Sequence, residues 1–322
     1  MKYSIALLLP IFLLTAELSF AQQCDTNRFT NAEYFQESDI ESAMNITYAT
    51  ALNYKDETQE LQMDLYFPSA SKDKMEKRPL ILLIHGGGFT KGKREGMAFM
   101  CQQFAQRGFV AATMSYRLGM KTEDAAGNGN ATYRAQQDAN AALRYLVANA
   151  SEYKIDTDWI FIGGTSAGAI TSLATVYATQ FEWNAGYPGV EENLGPLNSS
   201  GNDLTNTFQI KGIFNTVGAI TPMVLQPQEF VPMVSFHGTD DRIVAVDNGY
   251  IGLGSRGLHK VLEEAGICND LSIVPGGRHN VYQTEEGILY RIERTSCFFK
   301  SLMCDSCTSY ASEVDTPASC SE

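Results

Sequence analysis

Positive charge is scarce in this chain. Its 322 residues carry 24 Lys and Arg against 37 Asp and Glu, a formal net charge of -13. Nucleic acid and anionic membrane surfaces are therefore not expected as partners. Histidine is scarcer still, with four in all, and none lies near the Cys304-Asp305-Ser306-Cys307 pair. A zinc site is unsupported there, and neither metal nor cofactor is expected. No apolar run is long enough to span a bilayer, since Ile5 to Leu14 falls well short of the roughly 20 residues a helix needs. Gln22-Gln23 before Cys24 do not make a lipobox, so no membrane anchor is expected. Internal repeats and low-complexity linkers are missing, which leaves one large domain.

The N-terminus holds Lys2, the apolar run Ile5 to Leu14, and Ser19-Phe20-Ala21 with small residues at the two expected cleavage positions. That pattern reads as a secretory signal peptide over residues 1–21, cleaved after Ala21, and implies a secreted or periplasmic protein. Seven cysteines in an exported chain imply disulfides with one thiol left over. Cys101 lies between apolar neighbours in a helical run and is the expected buried, unpaired one. Cys24, Cys268, Cys297, Cys304, Cys307 and Cys320 are expected in bridges. The C-x-x-C at 304–307 reads as a staple, because nothing thioredoxin-like surrounds it.

Residues 22–45 are polar and expected to wrap the surface, 46–302 to form the catalytic domain, and 303–322 to be a cysteine-containing tail. Ile46 to Leu52 and Leu61 to Phe67 alternate as two antiparallel strands. Leu80-Ile81-Leu82-Leu83-Ile84 is continuously apolar, as in a sheet buried on both faces. Further strands are expected over Phe109 to Tyr116, Ile160 to Gly163, Ile210 to Val217, Met233 to Phe236 and Leu271 to Val274. Helices fall near 94–107, 133–150, 169–179, 255–265 and 285–302, with residues 180–209 a loop. This alternation implies a mostly parallel sheet with helices on both faces.

Gly164-Thr165-Ser166-Ala167-Gly168 sits between a strand and a small-residue helix. A serine on such a turn is strained and exposed, and the glycines two residues to either side must approach each other closely. The Ala167 N–H points the same way as the hydroxyl, at a helix start that favours negative charge. A nucleophilic serine needs a base, and the base an orienting carboxylate. With four histidines, elimination works. His85 precedes three glycines and reads as a brace, His237 ends a strand and reads as structural, and His259 lies mid-helix. His279, in a Gly-rich turn after the last strand, is the base. Asp241, followed by the apolar Ile243-Val244, is favoured over Asp240, with Asp247 more distant. Gly87 and Gly88, in His85-Gly86-Gly87-Gly88, bring backbone N–H groups close enough to form an oxyanion hole with that of Ala167.

These motifs, with Ser115-Tyr116-Arg117-Leu118, Asp138-Ala139-Asn140-Ala141-Ala142-Leu143-Arg144 and His237-Gly238-Thr239-Asp240-Asp241, resemble the α/β-hydrolase superfamily, and within it the esterases with a His-Gly-Gly-Gly motif. The resemblance covers about residues 46–300. It implies an α/β-hydrolase fold and a Ser166-Asp241-His279 carboxylesterase working through an acyl-enzyme. Gly218 to Pro232 leaves no room for the helical cap of the hormone-sensitive-lipase-like branch, so the layout is similar to compact secreted carboxylesterases, including those that remove acetyl or feruloyl groups from plant polysaccharide. A small-molecule or polysaccharide-linked ester is the expected substrate, with Phe89, Trp183 and Tyr187 as candidate contacts; the last two could equally pack on the fold's own surface. A serine peptidase of the same fold and a non-catalytic binding protein are the alternatives.

Overall fold

The computed structural model describes residue 24 and residues 26–199 and 201–313; the expected signal peptide and Cys320 lie outside them. The strands are β1 (Ile40–Leu52), β2 (Thr58–Pro68), β3 (Arg78–Ile84), β4 (Val110–Met114), β5 (Ile155–Thr165), β6 (Ile210–Thr216), β7 (Ala219–Ile220), β8 (Met233–Gly238), β9 (Leu253–Gly254), β10 (Asn269–Val274) and β11 (Tyr310–Ser312). Nine of them form one sheet in the order β1-β2-β4-β3-β5-β6-β8-β10-β11. β1, β2 and β4 pair antiparallel, and every pairing from β4 onward is parallel. β7 and β9 make a separate two-stranded ribbon.

The apolar run of β3 is buried at every position, because a strand's side chains alternate between faces and both faces here are covered. Leu80, Leu82 and Ile84 enter the core on one side, and Ile81 and Leu83 the other. The helices are α1 (Ala98–Gln106), α2 (Ala125–Ala148), α3 (Ala150–Tyr153), α4 (Ala167–Tyr177), α5 (Gln180–Gly186), α6 (Val190–Leu194), α7 (Ser255–Glu264) and α8 (Glu285–Met303). α2, α4 and α7 supply Leu143, Leu173 and Leu258 to the first core. α1 and α8 supply Phe104 and Phe299 to the second. The stripe Ala135, Ala139, Ala142, Leu143 and Leu146 on α2 is fully buried.

Four boundaries differ from the expectations. The boundary at residue 46 falls inside β1, and Phe29, ahead of that strand, is buried in the core beside an Arg28–Asp73–Arg78 ion cluster. α2 starts at Ala125 rather than 133, capped by the Asp124 side chain, which accepts the Gly127 N–H. Residues 180–209 are not a plain loop: Thr179 and Glu182 form a capping box that starts α5, and α6 follows. The tail after 302 contributes β11, which joins the sheet edge beside β10.

Cys24 bonds Cys304 and Cys268 bonds Cys307, while Cys297 is disulfide-bonded as well. Cys101 is free and buried. Among the described residues no helix is long and apolar enough to cross a membrane. Residues 218–232 hold only β7 and two single turns, Pro222–Val224 and Pro227–Glu229.

Candidate active site

β5 ends at Thr165 and α4 begins at Ala167, so Ser166 turns between them with φ 56° and ψ -120°. For a residue with a side chain that conformation is strained. Its amide is tied down by donating to the Thr216 carbonyl at 2.8 Å. The turn closes only because its flanking glycines lack side chains. A Cβ on Gly164 would lie 2.7 Å from the Gly168 carbonyl carbon, and one on Gly168 would lie 2.0 Å from the Ile84 oxygen. Arg291, buried on α8, reaches both Thr165 Oγ1 and Thr216 Oγ1 at 3.3 Å. Burial, opposed by nearby Tyr282, pushes its pKa down to about 10, so it stays cationic behind the elbow at neutral pH.

His279 follows β10 in a turn held from two sides. The Asp240 N–H donates to the Gly277 carbonyl at 2.8 Å, and the Gly276 N–H donates to Thr239 Oγ1 at 2.7 Å. His279 Nδ1 lies 2.7 Å from Asp241 Oδ2, and its Nε2 lies 2.8 Å from Ser166 Oγ. A carboxylate can only accept, so Nδ1 carries the proton; in the neutral ring Nε2 then accepts the serine hydroxyl. Three residues separated by 113 and 38 positions along the chain are thereby joined in one line.

Asp241 is buried, whereas Asp240 is exposed. Asp241 Oδ1 accepts the N–H groups of Ile243 at 2.9 Å and Val244 at 3.0 Å. Burial alone would raise its carboxyl. The bonds from His237, Val244, His279 and Ile243 outweigh that and hold it well below the usual carboxylate range. His237, which the sequence reads as a structural residue at a strand end, has its Nε2 3.2 Å from Asp241 Oδ2. The signal for that contact was its position four residues before Asp241, across a reversing turn.

The glycine turn lies against the elbow, since a Cβ on Gly86 would meet the Thr165 oxygen at 2.7 Å and Ser166 Cβ at 3.4 Å. Gly87 and Gly88 have φ of 124° and 60°, which favour glycine. His85 stacks on Tyr116 with ring centroids 4.4 Å apart, and its Nδ1–H donates to the Gly86 carbonyl at 2.8 Å. Burial lowers the His85 pKa, against that carbonyl bond and Glu95, in keeping with a brace. Ala167 opens α4, so its N–H has no carbonyl within the helix to reach.

The three aromatic candidates for substrate contact divide. Phe89 is buried edge-on to Tyr116, and Trp183 is buried with its Nε1–H donated to Gln136 Oε1 at 2.6 Å. Both rings are built into the fold and offer little open surface, because their polar and apolar needs are met internally. Tyr187 is half-buried over Gly129 and within electrostatic reach of Tyr250, which is 89% exposed.

Residues 63–230, more than half of the chain, match the family model BD-FAE. Gut esterase 1 of Caenorhabditis elegans is 36% identical over 104 residues, covering 30% of this chain and 18% of that protein. A probable isoprenylcysteine alpha-carbonyl methylesterase of Arabidopsis thaliana is 22% identical over 245 residues, covering 68% of this chain and 48% of that one. The chain thus spans under a fifth of the first relative and about half of the second. Among solved structures, a butyrate-bound esterase of Thermogutta terrifontis superimposes with a TM-score of 0.60 at 19% identity, over 85% of this chain and 98% of that one. A truncated carbohydrate esterase from gut microbiota gives 0.57 at 18%, with the same coverage. At these identities the structural likeness speaks for the fold. The chain belongs to the BD-FAE family and has the α/β-hydrolase fold.

Proposed function

We propose that this protein is a secreted or periplasmic serine carboxylester hydrolase that cleaves short-acyl esters, including carbohydrate-linked acetyl or feruloyl esters. The observation that carries the reading is the His279 imidazole bonded at once to Ser166 Oγ and to a buried, ionised Asp241. Ser166 Oγ attacks the ester carbonyl as His279 Nε2 takes its proton, and Asp241 holds the resulting imidazolium. The N–H groups of Gly87, Gly88 and Ala167 face the developing oxyanion, where each donor is worth about 10²–10³ in rate. His279 returns the proton to the leaving alcohol, then activates the water that clears the acyl-enzyme. The esterase names among the relatives and structural neighbours support the reaction class, and the carbohydrate esterase among them supports a sugar-linked alcohol. Disulfides support export to an oxidising compartment.

A fluorophosphonate probe should label the wild-type protein and leave Ser166→Ala unlabelled. A panel of esters of graded chain length, with acetylated xylan and methyl ferulate, then identifies the substrate class. A folded wild-type protein that neither reacts with the probe nor hydrolyses any ester would refute the proposal.

A further inference from the structure

Behind the Ser166–His279–Asp241 line lies a buried string of polar side chains that the reaction as described does not use. Asn215 on β6, Ser255 at the start of α7 and His237 on β8 are each fully buried. The direction of their hydrogen bonds follows from groups that can act in only one way. The Gly218 N–H only donates, so the atom facing it at 3.1 Å is Asn215 Oδ1, and Asn215 Nδ2 donates to Ser255 Oγ and Ser235 Oγ, each at 3.2 Å. At the other end, the Val244 carbonyl and the Asp241 carboxylate only accept. His237 Nε2, 3.0 Å from the first and 3.2 Å from the second, therefore carries a proton. In the neutral ring Nδ1 is then an acceptor, and the Ser255 hydroxyl, 2.7 Å away, donates to it.

We propose that His237 is a positioning residue for the catalytic base: as its Nε2–H tautomer it shares Asp241 Oδ2 with His279 and sets how strongly that carboxylate holds the imidazolium. This rests on the reading of Ser166, His279 and Asp241 as the reacting line. The Nε2–H is bonded to the Val244 carbonyl and lies 3.2 Å from the oxygen that also faces His279, close enough to disperse that oxygen's negative charge. Without it, the charge concentrates on the bond to His279, whose protonated form gains stability, while the carboxyl is freer to turn. The low carboxyl pKa of Asp241, to which His237 contributes among the hydrogen bonds, agrees with this.

Few other charges bear on His237. Asp247 is within electrostatic reach, but it is paired with Arg256 at 2.7 Å and lies 4.0 Å from Lys260. Toward the ring β6 and α7 present the neutral Asn215 and Ser255, and β10 sets Ile273 opposite it in register. The influence of His237 is therefore directed at Asp241.

Imidazole ¹⁵N NMR of the wild-type protein tests the arrangement directly. His237 should show a proton on Nε2 and a bare Nδ1, as its bonding partners require, and its Nε2–H resonance should move when His279 gains or loses its proton. A His237 proton on Nδ1, or a resonance indifferent to His279, would overturn the proposal. His237→Leu should raise both the pH at which His279 takes up its proton and the acidic limb of kcat/KM for p-nitrophenyl acetate by about half a unit or more. It should also lower kcat with little change in KM. His237→Gln, whose amide N–H can occupy the Nε2 position, should restore the limb. An unmoved limb in a folded His237→Leu variant rejects the idea, and if that variant does not fold, the wild-type spectra decide alone. Absence of ester hydrolysis in the wild type would instead sink the proposed function, leaving the NMR test of His237 intact.

Discussion

Gly168 lies so close to Ile84 that a methyl group on it would sit 2.0 Å from the Ile84 carbonyl oxygen. Backbone on both sides cannot yield without moving β3 or the elbow, so Gly168→Ala should destabilise the fold by about 1–3 kcal/mol. It should also displace Ser166 from His279. Urea unfolding and probe labelling measure the two effects. Unchanged stability with full labelling would show that the elbow is softer than its contacts indicate.

Ser166, the proposed nucleophile, is itself strained, and this separates stability from activity. Ser166→Gly relieves about 1–3 kcal/mol of backbone strain, less about 0.5–1 kcal/mol for glycine's freedom in the unfolded chain. A net gain of about 1 kcal/mol is expected, seen as a raised Tm, together with complete loss of turnover. Ser166→Ala keeps the positive φ and should lose activity by several orders of magnitude without that gain. Equal melting temperatures for the two variants would contradict the strain argument.

Asp241 and Asp240 give a paired test. Asp241→Asn should lower kcat by about 10³–10⁴, because the amide cannot hold His279 in the tautomer that accepts the serine proton, whereas exposed Asp240→Asn should cost little. The sign of the pH effect follows from a carboxyl held below its ordinary value. Asp241 contributes stability that is fully present above about pH 3.9 and lost as pH falls through the folded-state value. The stability gap between wild type and Asp241→Asn should therefore be wide at neutral pH and shrink in acid. Denaturant melts at both ends check this, and a gap that widens in acid would reverse the assignment.

Much of this is legible in the sequence alone. The β3 run had to be buried on both faces because no polar residue interrupts Leu80 to Ile84. His279 could be reached by elimination because there were so few histidines. What escaped had physical reasons. Gly127 and Gly129 disguised the first turns of α2, where they are needed because Thr122 and the Tyr187 ring leave no space for side chains. The start of α5 was written in Thr179-Gln180-Phe181-Glu182, a capping box that the surrounding Gly and Pro residues outweighed. The contact of His237 with Asp241 depends on how the chain reverses after β8, which no periodicity encodes. β11 is only three residues long, too short to carry a pattern of its own.

Cys101 and the bridged cysteines should behave oppositely toward reagents. Burial pushes the Cys101 thiol well above its ordinary value, so native protein should resist alkylation there and react only once unfolded. Cys101→Ser should leave the disulfide content unchanged. Reductant should lower Tm, since each bridge is worth about 2–4 kcal/mol. Mass spectrometry that found Cys101 in a bridge, or rapidly alkylated in the native protein, would contradict its burial.

The last expectation concerns acyl length. Residues 218–232 hold a two-residue strand and two single turns, and α5 and α6 are seven and five residues long. Trp183 is turned inward onto Gln136 and Tyr133, so the 180–194 segment spends its largest apolar ring on the fold. A long acyl chain gains about 0.8 kcal/mol for each methylene it buries, and these short elements provide little to bury it against. Measured kcat/KM should therefore be higher for p-nitrophenyl acetate than for the butyrate and should fall further toward the palmitate. A bulky alcohol such as a sugar chain should be tolerated, because no helical cap fills residues 218–232. No jump in rate is expected as substrate crosses its solubility limit. A steady rise in kcat/KM from acetate to palmitate would reveal a deep acyl channel and overturn this reading of the two segments.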